Sequence, residues 1–356
     1  MTAVRGAPHQ HPRCCRLPRV GCALLAGLLL GAVIACSQTE AVTPQPSPTP
    51  APTLAPAEVF SSTLLSQLPQ AYVADACQYL RERWDPLRST PGTVVVPVMF
   101  HSVHENGEYR PGDTFIPAQE LTRAVRVARE LGFETVTAAE LAGFLEHNVR
   151  IPRRSMIWIV DDRHPDDVES YFAPIARANG WTVTLGWIIG DTDQRQGLWQ
   201  RMENLHDSGC LDVQSHGYQH RYIRADTSEQ VMREELFEPI PILEQHFGSR
   251  PVAYVWPGGT FTARAVELAR EAGYRIGFSS YSRGPLMYNW IPLGDAEQVV
   301  ADPLMVLPRY WAKPGLAEQL RLAAAVGDEA AARALADFES EAAYYREMCG
   351  QELSAP

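Results

Sequence analysis

The chain has 356 residues, 46% of them hydrophobic, with 31 Lys plus Arg against 42 Asp plus Glu and a formal net charge of −11. This is globular arithmetic for one or two domains, and it excludes a wholly disordered or collagen-like chain. It also argues against a nucleic-acid partner, because neutralising phosphates needs a surplus of Lys and Arg on one face.

The first 35 residues hold Arg5, Arg13, Arg16 and Arg19, no acid, and an apolar run over 21–35. That is the basic region and apolar region of a secretory signal. The run is short for a membrane span, which takes about 20 residues. It ends Val33-Ile34-Ala35-Cys36, which resembles the lipobox of bacterial lipoproteins. The resemblance implies cleavage before Cys36 and a diacylglyceryl thioether on its sulfur. The protein would then sit on the outer face of a membrane through buried acyl chains, or be secreted if the lipid is not added. Residues 36–57 are Pro-rich and predict an extended, semi-rigid tether. Beyond Cys36 only Cys77, Cys210 and Cys349 remain, enough for one disulfide and one free thiol. Cys77 with Cys349 is the expected pair, since each lies near an end of the folded part.

A helical lead-in is expected over 58–92, a core domain over 93–312 and a helical extension over 313–356. Within the core, apolar runs predict strands at 93–99, 133–136, 155–160, 182–189, 211–214, 252–255, 274–278 and 304–307. Helical spacing fits 118–131, 138–146, 167–179, 198–208, 228–247 and 263–272, and the Ala- and Glu-rich tail over 315–345. Such βα alternation with right-handed crossovers gives a parallel sheet or barrel with its chemistry at the carboxyl ends of the strands.

Three motifs fall at those ends. Asp161-Asp162 follows the apolar run ending at Val160. Burying two adjacent carboxylates is costly without a metal or a shared proton. His216 and His220 have the i, i+4 spacing that puts both imidazoles on one face of a helical turn, within reach of one ion. Asp162 with these two makes three ligands and an open position, as in a catalytic metal site. Val255-Trp256-Pro257-Gly258-Gly259 can expose backbone N–H groups to an oxyanion. Taken singly, each has a bland reading: a solvated loop pair, exposed histidines on a helix, a tight turn.

Together, in this order and spacing, they resemble the NodB-like polysaccharide deacetylases of carbohydrate esterase family 4, over about 94–311. The resemblance implies an α/β fold, a distorted parallel (β/α) barrel. It makes Asp161 the general base, and Asp162, His216 and His220 the ligands of a divalent metal, zinc or a similar ion. It also implies that a backbone N–H of the turn, Gly258 first, helps hold the oxyanion. The implied partner is an acetylated polysaccharide. The chain departs from the family in three places. Arg163 replaces the usual Gly after Asp-Asp, and could crowd the site or bind an anionic substrate group. Val255 replaces the Arg that orients the base. The late strand reads Val306-Leu307-Pro308-Arg309 in place of Leu-x-His, so the usual acid is missing and no His follows His246. His101, after the first strand, is the leading replacement acid, as in the subgroup resembling poly-N-acetylglucosamine deacetylases; His104 and His164 are alternatives. Arg309 could bind substrate or anchor Asp161. Trp256, Tyr310 and Trp311 are candidates to stack on sugar rings or to be core. The leading reading is removal of N-acetyl, less favourably O-acetyl, groups from a surface polymer. Its rivals are a glycan-binding protein that lost turnover and a small-amide hydrolase on the same scaffold.

Overall fold

The computed structural model describes residues 49–54, 68–106 and 108–356. The expected signal segment 1–35, Cys36 and most of the tether lie outside them. Eight strands form the main sheet: β1 (Val94–Phe100), β2 (Glu134–Thr135), β3 (Arg154–Asp161), β4 (Val183–Trp187), β5 (Leu211–Ser215), β6 (Ala253–Val255), β7 (Ile276–Phe278) and β8 (Tyr310–Trp311). All pairings are parallel, in the order β7-β6-β5-β4-β3-β1-β8, with β2 beside the first half of β3. Every residue of β1 is buried, as expected where helices cover one face of a parallel sheet and side chains fill the other.

The sheet curls until its edges meet. Leu307 N–H donates to the Gly277 carbonyl at 2.8 Å and Ser279 N–H to the Leu307 carbonyl at 2.8 Å, while Tyr310 and Trp311 pair with Val98 and Met99 on β1. Lower down, Leu286 bridges Val95. Segment 307–311 thus joins the last strand to the first and makes a distorted (β/α) barrel.

The helices of the wall are α1 (Ala76–Trp84), α2 (Ala118–Leu131), α3 (Ala138–His147), α4 (Ala173–Asn179), α5 (Leu198–Asp207), α6 (Glu229–Phe237), α7 (Pro239–Phe247), α8 (Ala263–Ala272) and α9 (Leu316–Cys349). Among the described residues no helix is long and apolar enough to cross a membrane.

Prolines account for most departures from the predicted elements. The helix expected over 228–247 is two, α6 and α7, because Pro239 has no N–H and its ring clashes with the preceding turn. The helix expected over 167–179 carries a π turn, Val168–Phe172, ahead of α4, where Pro174 cannot donate. The strand expected over 304–307 is a 3-10 turn, Pro303–Met305, with only Leu307 in the ladder and β8 three residues later. The lead-in contains α1 and also a strand, Leu68–Gln70, antiparallel to Ile291–Leu293.

The tail extends the core. Leu316, Leu320, Ala323 and Val326 of α9 share one buried cluster with Val94 and Val96. A Cβ on Gly327 would stand 2.7 Å from the Gly92 carbonyl oxygen, so this crossing requires glycine. Cys77 on α1 and Cys349 at the end of α9 are disulfide-bonded across 272 residues, and Cys210 is buried and free. Closing so long a loop removes denatured-state entropy equivalent to roughly 2–5 kcal/mol.

Candidate metal and catalytic site

β3 delivers Asp161 and Asp162 to the carboxyl end of the barrel, and the two have different surroundings. Asp161 is 2% exposed. Its Oδ1 accepts from Arg309 Nη1 at 2.7 Å, and Arg309 Nε donates to the Ser279 carbonyl at 2.7 Å. Burial pushes the Asp161 carboxyl up, but Arg309, His216 and His101 pull it further down, leaving it below the ordinary carboxylate range. Gly186 on β4 leaves the space for this carboxylate, since a Cβ there would stand 3.3 Å from Asp161 Oδ1 and 3.3 Å from a Val255 methyl. Val255 therefore flanks the carboxylate without a charge to offer, and the guanidinium arrives on the barrel-closing segment.

Asp162 follows in the left-handed region, φ 65, which Asp tolerates better than most residues. Its Oδ1 stands 3.4 Å from His216 Nε2 and 3.4 Å from His220 Nε2, and the two imidazole nitrogens are 3.2 Å apart. Ligands about 2.0–2.1 Å from a tetrahedral ion stand about 3.3 Å from each other, so this triangle has the dimensions of one face of such a site. Two further observations favour a cation. Asp162 Oδ1 is buried without a hydrogen-bond partner, and His216 Nδ1 lies 2.8 Å from the Val255 carbonyl oxygen, which in the neutral ring fixes the proton on Nδ1 and leaves the Nε2 lone pair facing Asp162. Among the described residues these three are the one group of His, Cys, Asp and Glu with metal-ligand spacing. Burial opposes charge on His216, but Asp161 and Asp162 outweigh it and raise its pKa, so a proton and a cation compete there.

The loop carrying the histidines is not the expected helical turn. Gly217 has φ 88 and His220 φ 60, and the loop is held by Glu235 of α6, whose buried carboxylate accepts from Gln219 N–H at 3.0 and 3.1 Å. A Cβ on Gly217 would stand 2.5 Å from Glu235 Oε2. Sequence reasoning missed Glu235; its signal was an acid in register with the buried Met232 and Leu236 of the same helix.

The remaining candidates divide. His101 is half-buried and stacks on Trp311, ring centres 5.7 Å apart. Its Nδ1 is buried without a partner, and burial lowers its pKa against the pull of Asp161 and Asp162. His164 Nε2 is 3.9 Å from Asp162 Oδ2, while His104 stacks on Phe115 at 4.0 Å. Trp256 is fully buried and donates from Nε1 to the Met305 carbonyl at 2.7 Å, so it is core and no platform for a sugar. Arg309, 1% exposed, is likewise inaccessible to substrate and anchors Asp161. Tyr310 is buried. Trp311 stays at the mouth, its Nε1 donating to the Ser280 carbonyl at 2.8 Å. Gly258 is exposed in the turn Pro257–Gly259 with φ 59. Arg163 turns away from a role in crowding the site: it pairs with Asp191 at 2.5 Å and donates to the Ile188 and Gly190 carbonyls.

With this geometry in place, residues 150–277 match the family model described as polysaccharide deacetylase. This segment is similar to polysaccharide deacetylases. No curated protein matches the chain. Among solved structures, the deacetylase PplD of Streptococcus pyogenes is 16% identical, with a TM-score of 0.52 over 62% of this chain and 92% of that one. IcaB of Ammonifex degensii is 19% identical, with a TM-score of 0.50 over 67% of this chain and 98% of the other. A de-N-acetylase of Aggregatibacter actinomycetemcomitans is 15% identical, with a TM-score of 0.50 over 62% and 95%. At these identities the likeness is one of fold, the NodB-like (β/α) architecture.

Proposed function

We propose that the protein hydrolyses N-acetyl, and less favourably O-acetyl, groups on a cell-surface or extracellular polysaccharide, using a divalent metal, zinc first. The observation that carries this reading is the triangle of Asp162 Oδ1, His216 Nε2 and His220 Nε2 beside a separately anchored Asp161. A bound divalent ion would polarise the acetyl carbonyl and lower the pKa of a water toward neutrality. Asp161, ionised by Arg309, takes the proton of the attacking water as oxygen bonds to the carbonyl carbon. A backbone N–H of the turn, Gly258 first, would help hold the developing oxyanion. When the C–N bond breaks, acetate leaves with the water oxygen and the sugar amine needs a proton, which His101 gives. Trp311 holds the His101 ring in place.

Acetate release from N-acetylated oligosaccharides tests this reading directly. It should fall by about a thousandfold in Asp161→Ala, a loss on the scale of removing a general base together with the charge beside a water. His101→Ala should lower kcat while leaving metal content as in the wild type. Metal-loaded protein that binds glycan and releases no acetate from any ester or amide would favour the glycan-binding rival; turnover of small amides alone would favour the third.

The N-terminal sequence extends the proposal to an exported protein tethered through lipid on Cys36, with the Pro-rich segment holding the domain off the membrane. Labelling with a radioactive fatty acid should mark the wild type and not Cys36→Ala; equal labelling would rule out that anchor.

A further inference from the structure

The strand order places β4, which delivers no ligand, between the two strands that do: β3 ends at Asp161 and leads into Asp162, and β5 ends at Ser215 and leads into His216 and His220. On the β5 side the ladder continues past the strand ends. His216 N–H donates to the Trp187 carbonyl at 3.0 Å, Ile189 N–H to the Gly217 carbonyl at 3.3 Å and Gly190 N–H to the Tyr218 carbonyl at 2.5 Å. A Cβ on Gly190 would stand 2.7 Å from the Tyr218 carbonyl oxygen and 2.6 Å from Gln219 Oε1, so the two loops lie as close as a glycine allows. On the β3 side the register ends at Asp161 opposite Gly186, where Asp162 takes φ 65 and turns the chain out of the sheet. The next side chain makes the connection instead. Arg163 Nη1 donates to the Ile188 carbonyl at 3.2 Å and to the Gly190 carbonyl, and pairs with Asp191 Oδ1 at 2.5 Å. Its side chain is 14% exposed, and a planar guanidinium with fixed donors is suited to holding several oxygens at once. Gly190 is therefore held from both sides, its carbonyl by the residue after Asp162 and its N–H by the loop between His216 and His220.

We propose that Arg163 is a positioning residue that sets the spacing between Asp162 and the His216–His220 loop before a metal arrives, through a relay from its guanidinium to Gly190 and on to Tyr218. The inference rests on the metal-dependent reading of the site and deepens it. Glu235 of α6 holds the same loop through Gln219 N–H, so the segment between the two histidines is fixed at 218 and again at 219. Ligand atoms already at the separation a tetrahedral ion requires lose little freedom when it binds, and supporting residues of this kind are worth about ten- to a hundredfold in metal affinity. Charge alone predicts the opposite. Arg163 is a cation whose field reaches Asp162 and His220, so its removal should strengthen the binding of a metal cation. The sign of the change in affinity therefore separates a clamp from a charge.

Zinc affinity is measured on chelator-stripped protein by competition with a chromophoric chelator, and amide exchange over residues 188–191 is followed in the metal-free state by mass spectrometry. The expected result in Arg163→Met is a zinc Kd raised about ten- to a hundredfold and faster exchange over that segment. Gly190→Ala keeps the guanidinium and its charge, and should raise the Kd in the same direction by pushing the two loops apart. Arg195→Met is the control: it removes a positive charge and a partner of Asp191, bonded at 3.2 Å, while leaving the Arg163 fork in place, and its Kd should match the wild type. A zinc Kd unchanged or lowered in Arg163→Met, or raised equally in Arg195→Met, overturns the clamp. Zinc held by the wild type with an affinity indifferent to Arg163 would leave the metal reading standing and defeat the clamp, while Arg163-dependent exchange over 188–191 in a wild type that takes up no zinc would do the reverse.

Discussion

Replacing Arg309 by Met should move the acid limb of kcat/KM to higher pH and cut activity at pH 6 by about a hundredfold, the scale of losses when a catalytic group is freed from its orientation. Arg309 and Asp161 are 1% and 3% exposed as side chains and bonded at 2.7 Å. Removing the guanidinium leaves burial, which raises the Asp161 pKa, opposed only by His216, His101 and more distant charges. The carboxylate then accepts a proton in the range where it must be a base. Breaking a buried pair on one side also destabilises by about 3–5 kcal/mol. The sign with pH follows from the depressed native pKa. The stabilisation is present above the unfolded carboxylate value of about 3.9 and is lost as pH falls through the lower native value. Arg309→Lys retains charge but not the fork that serves both Asp161 and the Ser279 carbonyl, and should recover the pH profile more than the rate. The double change Asp161→Asn with Arg309→Met should be more stable than Arg309→Met alone and inactive. An unchanged acid limb in Arg309→Met would show that the pair holds the barrel closed and does not tune the base.

His216→Ala should abolish metal retention and reduce acetate release by about a thousandfold or more, because it removes one of three ligands and with it the acidity of the attacking water. His216 is 2% exposed and ordered through Nδ1 on the Val255 carbonyl, so its Nε2 has no freedom to be replaced by a neighbour. His246→Ala serves as the control. That imidazole is stacked on Trp199 at 3.8 Å and bonded to Glu203 at 2.7 Å, away from the ligand triangle, and its loss should leave metal and turnover in place. Since the carboxylates raise the His216 pKa, metal affinity should weaken as pH falls, protons taking the site. Equal metal content in wild type and His216→Ala, measured by elemental analysis, would contradict the assignment.

Much of this site is legible in the chain because parallel strands end where chemistry collects. Apolar runs marked β1, β3 and β5, and the residues that follow each run, His101, Asp161 with Asp162, and His216, meet in space. What the sequence hid is tertiary. Arg309 lies in a segment whose apolar pattern suggests a strand, yet prolines 303 and 308 push the pairing to single residues, and only barrel closure turns its guanidinium onto Asp161. The i, i+4 histidines suggested a helix because spacing carries no information about Gly217 and His220 adopting positive φ over the buried Glu235. Trp256 resembled a binding residue by its place beside Pro257, but its indole N–H finds the Met305 carbonyl inside the barrel.

The most direct measurement is a titration of chelator-stripped protein with zinc by calorimetry, with acetate release from an N-acetylated oligosaccharide assayed at each step. The account predicts one ion per chain, acetate release rising in proportion to occupancy, and neither effect in His216→Ala. Acetate release that persists in stripped protein, or zinc uptake unaltered by loss of His216, would contradict it.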